Sequence, residues 1–135
     1  MLISSRGKYG LRVIVDLAEH ENGGYIPMKE VAKRQDISLK YLEQILPTFV
    51  KNGLIEGVHG KGGGYRLTRK PEEYTLGEIL RLTEGDLAPV TCVENGGEAC
   101  ERKGACPAMP VWQGLDALIN EYLDGKTVRD LMCEE

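Results

Sequence analysis

The chain has 135 residues, of which 41% are hydrophobic and 28% charged, as expected for one globular domain. It contains no apolar run of the roughly 18 residues that a transmembrane helix needs, so we expect no membrane segment. The net charge of −4 is unevenly divided: residues 1–70 carry a net charge of +5 and residues 71–135 one of −9. A basic half in an acidic protein favours a nucleic-acid-binding surface.

The first residues, Met1–Lys8, lack the apolar stretch and the cleavage site of a signal peptide. We therefore expect a cytoplasmic protein. In that reducing compartment, clustered cysteines more often bind metal or do redox chemistry than form structural disulfides.

Two helices are predicted near the N-terminus. Residues 5–20 repeat apolar side chains at helical spacing, and Asn22-Gly23-Gly24 ends the run. Pro27 suits the first turn of a short second helix, Met28–Arg34.

A third helix is predicted over Leu39–Asn52, with Ser38 as its N-cap and a local kink at Pro47. Its apolar stripe is Leu39, Leu42, Leu46, Phe49 and Val50. Its polar side chains, predicted to lie away from the stripe, include Lys40, Tyr41, Glu43 and Gln44.

A β-hairpin follows, with strands over 54–58 and 64–68 around the turn-forming stretch 59–63. A short helix to about Glu84 comes next, where Thr75 and Glu78 match a capping box. The last predicted helix runs from Val111 to Leu123 and has a wide apolar face.

This order predicts a mostly α fold with a small β-hairpin wing, a winged helix-turn-helix followed by a C-terminal helix, to which the family resemblance given below assigns dimerisation. The third helix would enter the major groove of double-stranded DNA. Its predicted contacts are Ser38, Lys40, Tyr41, Glu43 and Gln44, and those of the wing are His59 and Lys61. The expected regions are 1–86 for DNA binding, 87–110 for a cysteine loop, 111–125 for dimerisation and 126–135 for a tail.

The cysteine loop contains Cys92, Cys100 and Cys106 and has almost no apolar side chains between them. It cannot order itself by burying a core, so another agent must do so. Metal or cluster ligation is the first candidate. Zinc held by three cysteines and a thiol–disulfide sensor are the alternatives.

Four motifs in this order resemble the signature of the Rrf family of bacterial transcriptional regulators, particularly its IscR-like branch. They are Arg6-Gly7-Lys8-Tyr9-Gly10, Tyr41-Leu42-Glu43-Gln44, Asn52-Gly53-Leu54 and Gly62-Gly63-Gly64-Tyr65. The resemblance implies a homodimer on a palindromic operator, with Glu43 discriminating operator classes. It also implies a dimer interface formed by Trp112, Leu115, Leu118, Ile119 and Tyr122. In the wing, His59 stands where the family usually has Arg.

The resemblance further implies a 2Fe–2S cluster held by Cys92, Cys100 and Cys106. Met109 stands where relatives have a histidine ligand. The fourth ligand is left open among Glu98, Glu101, Cys133 and a group from the partner subunit.

The function predicted is a DNA-binding regulator that senses iron–sulfur or redox status. The alternative is a CymR-like, metal-independent repressor of sulfur metabolism that uses its cysteines as a thiol–disulfide sensor. The sequence contains no Gly-x-Ser-x-Gly motif and no P-loop, so we expect no enzymatic activity.

Overall fold

The computed structural model describes residues 3–97 and 105–132. Within them, the chain forms six α-helices and one two-stranded antiparallel hairpin; the class and the order of the first five helices and the hairpin are as predicted, and the sixth helix was not predicted. The elements are α1 (Ser5–Glu19), α2 (Met28–Gln35), α3 (Leu39–Lys51), β1 (Ile55–Val58), β2 (Gly64–Leu67), α4 (Leu76–Glu84), α5 (Met109–Asp124) and α6 (Val128–Leu131). Two 3₁₀ turns lie at Pro71–Glu73 and Thr91–Gly97. No helix in these two ranges is long and apolar enough to cross a membrane.

The main core lies where α1, α2 and α3 meet the hairpin and α4. α1 and α3 pack closely at Gly10, since a Cβ added there would lie only 2.9 Å from the ring of Phe49. A larger residue at Gly10 would push the two helices apart. Asp16 of α1 is buried, and Arg34 of α2 donates two hydrogen bonds to its carboxylate, at 3.0 and 2.7 Å. A buried carboxylate needs such partners, so this pair fixes α2 against α1.

The turn between α2 and α3 has the predicted cap. Asp36 ends α2 in the left-handed conformation, with φ of 54°. The side chain of Ser38 then accepts a hydrogen bond from the backbone N–H of Tyr41 at 3.1 Å, which starts α3 as predicted.

The wing is fixed to the domain at its base by Tyr74, whose side chain is fully buried. Its hydroxyl donates to the carbonyl of Leu54 at 2.6 Å and accepts from the backbone N–H groups of Thr68 and Arg69, each at 3.1 Å. Both ends of the hairpin are therefore held by one side chain.

Two sequence predictions about side-chain placement are corrected. In α3, Val50 is 43% exposed and Leu39 is only half-buried, whereas Ile45, which the predicted stripe omitted, is buried. The helix is continuous through Pro47.

At the start of α4, the side chain of Thr75 accepts a hydrogen bond from the backbone N–H of Glu78, as predicted. The Glu78 carboxylate, however, faces Arg69 instead of the backbone N–H of Thr75.

Candidate nucleic-acid interface and cysteine site

The start of α3 carries the predicted polar face. Lys40, Glu43 and Gln44 are all exposed, and Ser38 is exposed while its hydroxyl oxygen caps the helix. Because the core contacts of α3 lie on its other side, this face is available to a groove of DNA.

Tyr41 differs from its prediction. Its ring is half-buried and packs edge-to-face on Tyr9 of α1, with the ring centroids 5.3 Å apart. The guanidinium of Arg12 lies over the Tyr9 ring, 5.4 Å from its centroid. The sequence placed Tyr41 away from the apolar side of α3, whereas the structure uses it to join α3 to α1.

The tip of the wing carries His59 and Lys61, and both are exposed. The turn between them needs glycine at Gly60, where φ is 92° and an L side chain would be strained. Across the hairpin, Arg66 pairs with Glu56 at 2.6 Å, and this hydrogen bond raises the pKa of Arg66.

A second ion pair supports the base of the wing. Arg69, which follows β2, donates two hydrogen bonds of 2.8 Å to the carboxylate of Glu78 in α4. The side-chain hydrogen bond from Arg69 holds the pKa of Glu78 below its usual range, although partial burial opposes it. Sequence reasoning missed this pair because it assigned Glu78 to the helix cap.

The structure brings together two of the three predicted cysteine ligands. Cys92 lies in the 3₁₀ turn, and Cys106 lies three residues before α5. Both side chains are half-buried and pack against one small apolar cluster of Ala88, Val93 and Met109, which Val90 and Trp112 also contact.

Cys100 lies outside the described residues, as do the fourth-ligand candidates Glu98, Glu101 and Cys133. In the described ranges, no group of three His, Cys, Asp or Glu side chains forms a metal site. Met109, at the position of the family's histidine ligand, is 3% exposed inside the apolar cluster.

The donor set nonetheless suits a soft metal centre. Cys92 and Cys106 present two sulfur donors to the same apolar cluster, and thiolates are the ligands that iron–sulfur clusters and zinc prefer. Val93, Met109 and Trp112 surround the two cysteines with apolar side chains.

The outer face of α5 is apolar and exposed. Val111 is 62% exposed, Leu118 64% and Tyr122 65%, and with Leu115 they recur at intervals of three and four residues along one stripe. Val111 was predicted on the apolar face of this helix but not in the dimer interface. Trp112 packs against the apolar cluster of Ala88, Val93 and Met109, and Ile119 is half-buried beside Leu80. The interface role of these two side chains stays a prediction.

The inner face of α5 is held to α4 by hydrogen bonds from Arg81. Its guanidinium donates two bonds of 2.8 Å to Asp124 and one of 2.7 Å to Asn120. The hydrogen bonds from Arg81 lower the pKa of Asp124. These hydrogen bonds fix the C-terminal end of α5 to α4.

Comparison with known proteins agrees with this geometry. The model of the Rrf2 family, described as iron-dependent transcriptional regulators, matches residues 3–134. The regulator IscR of Aliivibrio salmonicida is 34% identical over 134 residues, which cover 99% of this chain and 79% of that protein. IscR of Sodalis glossinidius is 32% identical over 135 residues, covering 100% of this chain and 81% of that protein.

Solved structures give the same fold. That of the global cysteine regulator CymR of B. subtilis has a TM-score of 0.78 at 32% identity, covering 97% of this chain and 95% of that one. T. potens IscR has a TM-score of 0.75 at 34% identity, covering 97% and 85%. The predicted winged-helix fold and the family resemblance are confirmed, and the chain belongs to the Rrf2 family as an IscR-like transcriptional regulator.

Proposed function

We propose that this regulator is a cytoplasmic homodimer that binds a palindromic operator and senses iron–sulfur or redox status through a 2Fe–2S cluster. Cys92, Cys100 and Cys106 would hold the cluster. The observation that carries the proposal is the position of Cys92 and Cys106, two cysteines packed against one apolar cluster at the start of α5.

A 2Fe–2S cluster would supply a one-electron redox centre whose charge changes with its oxidation state. The chain's own residues would anchor it and relate it to α5. Cys106 and Met109 are joined directly, because the backbone N–H of Met109 donates to the carbonyl of Cys106 at 3.3 Å. Ligation or oxidation of Cys106 would therefore act directly on the first turn of α5, through this backbone hydrogen bond.

The DNA-binding part of the proposal rests on α3 and the wing. Gln44 can make a pair of hydrogen bonds with adenine, and Glu43 can accept one from cytosine. Lys40 on the same helix and Lys61 at the tip of the wing are exposed cations that can contact phosphates. The exposed stripe on α5 would join two copies, so that two α3 helices address successive major grooves.

The second candidate is a CymR-like, metal-independent repressor that senses thiol oxidation. It is favoured by a specific similarity: the oxidized form of Staphylococcus aureus CymR matches this fold with a TM-score of 0.77 at 32% identity, covering 100% of this chain and 98% of that one. In that case the cysteines of the loop, Cys100 and Cys106 among them, would be the redox-active thiols, and iron would have no part in regulation.

Iron and acid-labile sulfide analysis separates the two functions. We expect the wild type, purified without air, to contain two irons and two sulfides per chain and to be red-brown. Cys92→Ala should lose both, because it removes a ligand.

Thr91→Ala is the matched control, since it changes an exposed side chain next to Cys92 that is not a candidate ligand, and it should keep its iron. A colourless, iron-free wild type would favour the thiol sensor, and stoichiometric zinc would indicate a zinc site instead. Equal iron in the wild type and Cys92→Ala would contradict the ligand assignment.

A further inference from the structure

A cleft of about 380 Å³ lies between the first turn of α2, the third helix and the wing. The hairpin is held against the start of α2 by two backbone hydrogen bonds of 2.9 Å between Ile26 and Tyr65. The cleft therefore has walls from three elements that are fixed relative to one another.

One wall of the cleft is aliphatic. It contains Leu39 and Val50 from the edge of α3 and Val58 from the end of β1. Val50 is 43% exposed and Val58 47%, so these are apolar side chains that the core does not cover. Leu39 and Val50 were predicted to lie in the buried stripe of α3. They lie instead on the edge of the helix that faces the wing, where the core does not fully cover them.

The cleft also carries a cation. Lys29 of α2 lines it, and His59 of the wing adds an imidazole that can form a hydrogen bond. Lys29 is exposed and forms no ion pair with the residues that the structure describes. The adjacent Glu30 lies 3.7 Å from Arg34, one turn further along α2.

We propose that this cleft receives the sugar–phosphate backbone of one DNA strand, and that Lys29 binds a phosphate there. The inference rests on the proposed DNA-binding function and adds a contact to it. A DNA strand presents alternating deoxyribose and phosphate groups, which match an aliphatic wall beside a free cation. The cleft is continuous with the proposed DNA surface, since Leu39 lies between Ser38 and Lys40 at the start of α3.

Lys29 acts as a positioning residue in this arrangement. A phosphate contact carries no base information, so Lys29 sets how the recognition helix sits in the groove without choosing the sequence. Its effect should then be the same on the operator and on unrelated DNA, and it should depend on salt.

The test compares Lys29→Gln with Lys33→Gln in the full chain. Lys33 is the matched control because it is exposed on α2, one turn later, and does not line the cleft. The probes are an operator selected from random duplexes and a scrambled duplex, with affinity measured from 50 to 200 mM salt. Gln44→Ala serves as the base-contact reference. Thermal unfolding of each variant checks that the fold is retained.

For Lys29→Gln we expect a loss of about one unit in the slope of log affinity against log salt, on both duplexes. The ratio of wild-type to variant affinity should then fall roughly 3.5-fold across that salt range. Gln44→Ala should lose affinity for the operator alone, and Lys33→Gln should behave as wild type.

An unchanged slope for Lys29→Gln, or equal losses for Lys29→Gln and Lys33→Gln, would overturn the cleft assignment while leaving DNA binding intact. A loss for Lys29→Gln on the operator only would overturn the backbone-contact role. A wild type without preference for any duplex would instead refute the proposed function itself.

Discussion

Replacing Tyr74 by phenylalanine tests whether one hydroxyl holds the wing to the domain. The change keeps the fully buried ring and removes hydrogen bonds to three backbone groups. The carbonyl of Leu54 retains Thr68 as a donor, through its N–H at 3.3 Å and its hydroxyl at 3.2 Å. The main cost falls on the Arg69 N–H, which loses its partner.

One unsatisfied backbone group costs about 1–3 kcal/mol, and a lost hydrogen bond with a remaining partner costs about 0.5–1.5 kcal/mol. We therefore expect Tyr74→Phe to lower the free energy of unfolding by about 2–4 kcal/mol. Urea unfolding followed by circular dichroism measures this loss. The protein concentration must be fixed, since association contributes to the stability of an oligomer.

Tyr25→Phe is the matched control for that change. Tyr25 is half-buried beneath the guanidinium of Arg66, 4.5 Å from its ring centroid, and its hydroxyl has no hydrogen bond to the described residues. Its loss should alter stability by less than about 0.5 kcal/mol. If the two variants unfolded at the same urea concentration, the anchoring role of Tyr74 would be refuted.

Two further predictions concern association and pH. Leu118→Glu places a charge in the exposed stripe of α5 and should yield monomers in sedimentation velocity, whereas Gln113→Glu, off the stripe, should sediment as wild type. Arg69 lowers the pKa of Glu78, so the stability from this pair is present above the ordinary carboxyl pKa and is lost as the pH falls through the lowered one. The stability difference between wild type and Glu78→Gln, measured by urea unfolding, should thus be largest near neutral pH and shrink below about pH 4. A stability difference between wild type and Glu78→Gln that stayed constant with pH would contradict a stabilising role for the pair of Arg69 and Glu78.

Local signals were sufficient to predict five of the six described helices and the hairpin. The cap at Ser38 was predictable because it depends on a side chain and a backbone N–H three residues away. The exposure of Val50 was not, because helical periodicity identifies the centre of a buried face but not what covers its edge. That edge meets the wing, whose position depends on contacts distant in sequence.

The candidate site was predictable in composition but not in arrangement. The spacing of Cys92 and Cys106 indicated a shared ligand, and the structure packs both against one cluster. Tyr41 was predicted to be an exposed DNA contact, and its partial burial was missed because the sequence cannot show that Tyr9 packs against it. The pair of Asp16 and Arg34 was missed for the same reason, since its partners lie 18 residues apart on different helices.

The two ends of α5 are held by different kinds of contact, and this difference bears on how the proposed sensor would act. Arg81 holds Asp124 with two hydrogen bonds, and those bonds do not involve the cysteine segment. At the other end, Met109 and Trp112 pack against the cluster that Cys92 and Cys106 contact. The exposed stripe of α5 lies between these two anchors, so the thiols can alter its orientation only from the N-terminal end. Under the proposed function, ligation or oxidation at the cysteines would tilt the dimer helix about its fixed end at α4 and thereby change the separation of the two α3 helices.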